Sequence, residues 1–128
     1  MERHMLEDYL MAKVAISKEN PFGPDVDVYK VHGKMFALVS FGTGKEKGTN
    51  GKMAGHYCVN LKCDPDEALA LRDIFEAVIA GYHMNKINWN TVILNGSIPQ
   101  GEIARMIDNS YLLVVKSLPK KVQKQLGF

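Results

Sequence analysis

Apolar side chains recur along this chain with two periods, and the changes of period divide it into elements. Between about Met5 and Val14, Leu6, Tyr9, Leu10 and Val14 fall at helical spacing and predict one amphipathic helix. Asn20-Pro21-Phe22-Gly23-Pro24 ends it. Val26, Val28 and Lys30 then alternate with Asp27, Tyr29 and Val31, which is the period of a strand. His32-Gly33 marks a tight turn into a second strand, Lys34 to Phe41, with Met35, Ala37, Val39 and Phe41 on one face and Phe36 and Leu38 on the other. A strand apolar on both faces belongs inside a sheet that is covered, at least in part, on both sides. The segment His56 to Cys63 alternates more cleanly: Tyr57, Val59, Leu61 and Cys63 form a core face, and His56, Cys58, Asn60 and Lys62 a wet one.

Between these strands, Gly42 to Gly55 holds five glycines, three lysines and one large apolar residue, Met53. It is expected to form a long, mobile hairpin loop that gives the core little. Asp64-Pro65-Asp66-Glu67 then has the devices of a helix start: Asp64 as N-cap, Pro65 at the first helical position and Glu67 placed to close a capping box. Its buried stripe reads Ala68, Leu71, Ile74, Phe75 and Val78, ending at Gly81. A strand from about Thr91 to Leu94 follows, and Ser97-Ile98-Pro99-Gln100 opens another helix with Ser97 as its cap. The stripe Ile103, Ile107, Ser110, Tyr111, Val114 and Leu118 runs to the break at Pro119, after which Lys120 to Leu126 form a short basic helix. The order α-β-β-β-α-β-α predicts an α+β fold, a two-layer sandwich with an antiparallel sheet of four to five strands packed by helices. Residues 1–128 make one domain.

Composition narrows the class. An apolar fraction of 46% with 23% charged residues over 128 positions is that of a soluble globular protein. Acids interrupt the N-terminal Met1 to Asp8, where a secretory signal needs an apolar run, and no stretch reaches the roughly 20 apolar residues of a membrane helix. The expectation is a cytoplasmic protein, monomeric and with no membrane partner. Cys58 and Cys63 lie an odd number of residues apart in one strand, hence on opposite faces, and read as reduced, inert thiols.

The net charge of +2 does not announce a nucleic-acid binder, but the lysines are unevenly placed. Asp108 is the last acid, and Lys116, Lys120, Lys121 and Lys124 follow it. Lys45, Lys47 and Lys52 concentrate in the glycine-rich loop, diluted by Glu46. Either cluster alone is also what a solvated, solubilising surface looks like. Gly42-Thr43-Gly44-Lys45 is no phosphate-binding loop, since the GxxxxGK[ST] spacing is absent and no helix follows. Lys47 occupies the third glycine position of a dinucleotide fingerprint. His56-x-Cys58 offers two ligands on one face where zinc needs three or four, so no metal site is expected. Neither Ser97 nor Ser110 sits in a nucleophile elbow, and the reading is of a protein without catalysis or cofactor.

The remaining concentration of chemistry lies between the second long helix and the last strand. Gly81-Tyr82-His83-Met84-Asn85-Lys86-Ile87-Asn88-Trp89 crowds two aromatics, an imidazole, amides and a lysine where no apolar period explains them. Gly81 to Lys86 followed by Trp89 resembles the signature of the MmcQ/YjbR family. Gly33-Lys34-Met35-Phe36-Ala37, Leu61-Lys62-Cys63, Ser110-Tyr111 and Leu118-Pro119 agree in order, so the resemblance covers nearly the whole chain. It implies a frataxin-like (CyaY-like) fold and a proposed double-wing DNA-binding function of low sequence specificity. The iron role of frataxin does not carry over, because Glu2, Glu7 and Asp8 of the first helix are offset by Arg3, His4 and Lys13.

Two readings of function follow. In the first, DNA phosphates are held by Lys45, Lys47 and Lys52 of the loop and Lys120, Lys121 and Lys124 of the tail, with Lys34, Lys62, His83, Asn85 and Lys86 in closer contact. In the second, Tyr82, His83 and Trp89 surround a pocket for a small molecule or a protein segment. Scaffolding is the bland account of the same residues, with Trp89 as a core anchor and His83 and Asn85 satisfying loose backbone. A positive stripe joining loop and tail favours DNA, and an apolar cavity beside Tyr82 favours the pocket.

Overall fold

A computed structural model describes residues 1–128. In chain order the elements are α1 (Arg3–Met11), β1 (Ile16–Glu19), β2 (Val26–Val31), β3 (Lys34–Phe41), β4 (Tyr57–Lys62), α2 (Pro65–Ile74), β5 (Val78–Ala80), β6 (Trp89–Ile93), α3 (Gln100–Lys116) and α4 (Lys120–Gln125). The six strands form one antiparallel sheet in the order β1-β2-β3-β4-β6-β5. The α+β class and the antiparallel sheet match the pattern reading, but the sheet has six strands rather than four or five. The two unexpected strands are its edges.

Both edges have a local cause. α1 ends at Met11, before Val14 can join its buried stripe, and Ala15 then takes a left-handed φ of 62° as the chain turns into β1. Val14 is left exposed, and α1 buries only Leu6 and Leu10. At the other edge, α2 ends at Ile74 instead of continuing to Gly81. Ile74 is exposed, and Val78 is buried as a strand residue paired with Val92. The i, i+3 spacing of Phe75 and Val78 fits a helix as well as it fits this turn into β5.

All the long helices lie on one face of the sheet, with α3 in the centre. Tyr9 of α1 donates to Asp108 of α3 at 2.7 Å, and Lys13 reaches the same oxygen at 2.5 Å. On the opposite flank Glu67 of α2 accepts from Arg105 of α3 at 2.7 Å. That ion pair takes the side chain the sequence assigned to a capping box. Asp64 does cap α2, accepting from the Asp66 amide at 3.1 Å. At the start of α3, Pro99 holds the cap position, and Ser97 is tied to Asn95 instead.

Ser110 explains how α3 sits so close to the sheet. Its hydroxyl donates to the Phe36 carbonyl at 2.6 Å and accepts from the Lys62 amide at 2.9 Å. It thereby ties β3 to β4 just beyond their Ala37↔Leu61 pair, at the residue Phe36 that bulges out of the β2–β3 register. Between the layers, Phe36, Val59, Val92, Ile107 and Val115 are fully buried members of a single core.

Candidate functional site

Pair partners in an antiparallel ladder project to the same face. The register Ala37↔Leu61, Val39↔Val59 and Val59↔Val92 therefore defines the helix-covered face. The register Val26↔Ser40, Val28↔Leu38↔Asn60↔Thr91 and Cys58↔Ile93 defines the other. The sequence expects that face to be wet at Cys58 and Asn60, yet they are only 1% and 5% exposed. Two loops cover it.

The first is the glycine-rich loop, residues 42–55, which leaves the sheet between β3 and β4. It is folded rather than the loose hairpin its composition predicts. The Gly42 amide donates to His56 and its carbonyl accepts from Gly55, closing the base at 2.8 and 3.0 Å. Inside, the Glu46 carboxylate accepts from the Thr43 hydroxyl at 2.6 Å and from the amides of Thr43 and Gly44 at 2.9 and 3.0 Å. The Thr43 hydroxyl is the main cause that lowers the Glu46 pKa below the ordinary carboxylate value. Met53 is buried in the core, so the loop contributes an anchor that its polar composition conceals.

The second loop, residues 81–88, springs from the opposite end of the sheet, between β5 and β6. Gly81 lies so close to Trp89 that an added Cβ would stand 2.8 Å from the Trp89 Cβ and 2.9 Å from its carbonyl. Only glycine makes that approach. A buried polar chain then pins the loop: the Tyr82 amide donates to Thr91 Oγ1 at 2.9 Å, Thr91 Oγ1 donates to Asn60 Oδ1 at 2.5 Å, and Asn60 Nδ2 donates to the Tyr82 carbonyl at 3.1 Å. Lys86 Nζ donates to the Gly81 carbonyl at 2.8 Å, and Arg72 reaches from α2 to the Lys86 carbonyl. Asn85 Oδ1 accepts from the Ile87 amide at 2.9 Å, a local turn. His83, at a left-handed φ of 58°, is exposed and stacks at a tilt on Tyr82 with 4.1 Å between ring centres.

The two loops meet over the sheet and leave two cavities. One, of about 540 Å³, is lined by Phe22, Met35, Leu38, Phe41 and Met53, with Ser40, Asn60 and Glu46 among its polar members and Tyr82, His83 and Met84 as one wall. The other, of about 230 Å³, is lined by Lys47, Lys52 and Lys86 together with Thr49, Asn50, Ile79 and Tyr82. Tyr82 lines both.

These positions sort the sequence candidates. Lys47, Lys52, Lys86, Tyr82 and His83 come together, and Lys45 is exposed in the same loop. Trp89 is half-buried behind Gly81, paired with Lys62, and lines neither cavity, so its place in the expected pocket is corrected. Lys34 and Lys62 lie at the far ends of β3 and β4 from the glycine-rich loop. Lys120, Lys121 and Lys124 are on α4, in the helical layer, where Phe128 approaches Tyr111 and Gln123 caps the end of α3 at the Leu118 carbonyl. The loop lysines therefore lie over the open face and the tail lysines in the helical layer. Phe22, Leu38 and Met53 are cavity residues that the sequence reading passed over. Phe22, apolar in a run of prolines and glycine, was the visible signal.

The YjbR family model matches residues 11–113, which takes in both loops and every strand. The chain belongs to the YjbR family. The uncharacterised YbdF protein of Escherichia coli O157:H7 is 36% identical over 106 residues, covering 83% of this chain and 78% of that one. The uncharacterised YjbR protein of Escherichia coli K12 is 31% identical over 121 residues, covering 94% and 93%. Among solved structures, the DUF419 domain of Deinococcus radiodurans protein DR2400 superposes with a TM-score of 0.80 at 28% identity, covering 96% of this chain and 86% of that one. The YjbR relationship fixes the family and the fold, and the site's chemistry rests on the geometry of the two loops.

Proposed function

We propose that this YjbR-family protein is a binding module that takes up a small ligand between its two loops, on the open face of the sheet, without a catalytic step. The observation that carries the reading is the apolar cavity beside Tyr82 and His83. Its volume of about 540 Å³ falls within the roughly 300–1,000 Å³ of small-molecule sites. Ser97, bonded to Asn95, and Ser110, bridging two strands, both have structural employment. The reading includes a cytoplasmic monomer. No helix is long and apolar enough to cross a membrane. It makes no use of the frataxin likeness that the family resemblance implies.

The test is titration with the neutral fluorophore N-phenyl-1-naphthylamine. Saturable binding by the native chain, lost in Leu38→Lys while circular dichroism and the unfolding midpoint hold, is the expected outcome. Absence of saturable binding to the native chain would remove the reading.

A second reading, low-specificity contact with duplex DNA, is favoured by the exposure of Lys45, Lys47, Lys52 and Lys86 on one side of the molecule. It uses the two loops and not the tail, which lies on α4 in the helical layer. Binding of a random duplex should then fall steeply with salt and weaken in the Lys45, Lys47 and Lys52 triple alanine variant. The Lys120, Lys121 and Lys124 triple should behave as the native chain. Equal loss in both triples would point to non-specific charge.

A further inference from the structure

We infer that the ligand is an amphipathic anion, with an apolar body in the larger cavity and one carboxylate, sulfonate or phosphate group in the lysine-lined cavity on the other side of Tyr82. This rests on the binding-module reading and adds the chemistry of what is bound. The two cavities differ in a way that assigns them different parts of one ligand. The larger is mainly apolar, and its carboxylate, Glu46, is held by the Thr43 hydroxyl and two amides, so an anion there meets like charge. Asn60, on the cavity floor, spends its amide on Tyr82 and its carbonyl on Thr91, leaving little to recognise a polar ligand.

The smaller cavity has the opposite character. At about 230 Å³ it lies below the size of a typical small-molecule site and suits a head group. Its charged lining residues are three lysines from two loops, Lys47, Lys52 and Lys86, with no carboxylate among them, and Thr49 and Asn50 add polar groups. Lys86 already donates to the Gly81 carbonyl at 2.8 Å, which fixes its ammonium in place and leaves further protons for an anion. Tyr82 is held by both its backbone groups and forms a wall common to the two spaces. Burial of the apolar body gives affinity, and the lysines select for charge.

Two fluorophores that share an aromatic body separate the parts of this claim. N-phenyl-1-naphthylamine is neutral, and 1-anilinonaphthalene-8-sulfonate carries one anion. The native chain should bind the sulfonate at least about tenfold more tightly, the effect of one charge-assisted hydrogen bond. Lys47→Ala with Lys52→Ala should reduce the preference severalfold and leave the neutral probe's affinity unchanged, with Lys86 retained because it holds the loop. Lys120→Ala with Lys121→Ala removes the same charge on the other side of the sheet and should change neither affinity. If both probes bind the native chain equally, or the preference is undiminished in the Lys47 and Lys52 variant, the anion inference is wrong while the pocket stands. If neither probe binds, the pocket reading fails, and this inference fails with it.

Discussion

Thr91 and Asn60 face each other across β6 and β4, and their side chains are joined at 2.5 Å in a buried pair whose remaining bonds all go to one residue of the signature loop. Thr91 accepts from the Tyr82 amide and Asn60 donates to the Tyr82 carbonyl. The pair therefore acts as a clamp that fixes Tyr82 at the wall of both cavities. Replacing Thr91 by valine keeps the shape and strands the Tyr82 amide and Asn60, which should cost about 1–3 kcal/mol in urea unfolding. Asn60→Ala should cost a similar amount. Because the three groups form one network, the double variant should lose less than the sum of the singles. Strict additivity in the cycle would show that the clamp is not a unit.

Gly81 and Gly42, with Gly44 against the Ala54 Cβ at 2.9 Å, are the points at which a loop backbone touches its surroundings too closely for any side chain. An added Cβ at Gly42 would fall 1.7 Å from the Met53 carbonyl oxygen, a direct overlap, whereas one at Gly81 would stand 2.8 Å from the Trp89 Cβ and 2.9 Å from its carbonyl oxygen, a milder clash. The first contact is with backbone and has nowhere to go. Gly42→Ala should therefore destabilise by more than about 3 kcal/mol or prevent folding, and Gly81→Ala by about 1–3 kcal/mol, the usual range for overpacking. Trp89 is the chain's single tryptophan, so its emission should shift in Gly81→Ala and not in a surface control such as Lys121→Ala.

The thiols make a prediction about pH. Burial is the main cause that pushes Cys58 up to about 12 and Cys63 up to about 11. In the unfolded chain both ionise near their ordinary value of about 8.5. The folded state thus keeps its protons where the unfolded state releases them, so the stability they contribute is complete below about pH 8.5 and is lost as pH rises toward 11 and then 12. Tyr9, raised to about 12 first by burial and then by Asp108, adds to the same decline at its upper end. Unfolding midpoints measured from pH 8 to 11 should fall steadily, and the fall should be shallower in Cys58→Ala with Cys63→Ala. At pH 8 a disulfide reagent should modify the native thiols only at the rate of structural opening.

Much of this architecture was readable because the core strands carry their own period. Val59 and Leu61, alternating with Cys58 and Asn60, could be nothing but a strand. What could not be read was burial on the second face. Asn60 and Cys58 look wet in sequence and are covered only because Met53 and Tyr82 arrive from loops 42–55 and 81–88, one from each end of the sheet. The edge strands failed for a related reason. Ile16–Glu19 is mostly polar and exposed, and Val78–Ala80 is too short for alternation to show. Tyr82 and His83 were found because no apolar period accounts for them, whereas Trp89, chosen on the same grounds, packs against Gly81 and lines neither cavity.

Phe22 offers a way to separate binding from stability. It is 70% exposed, held by Pro21, Gly23 and Pro24 at the rim of the larger cavity, so truncation removes little that folding has buried. Phe22→Ala should leave the unfolding free energy within about 0.5 kcal/mol of the native value, as exposed substitutions do. A ligand lodged in the cavity would cover part of this ring. Full burial of a phenylalanine side chain is worth about 1.5–3 kcal/mol, and partial burial a fraction of that, so affinity for N-phenyl-1-naphthylamine should drop about three- to tenfold. Unchanged affinity together with unchanged stability would place the ligand deeper, against Leu38 and Met53, and remove Phe22 from the site.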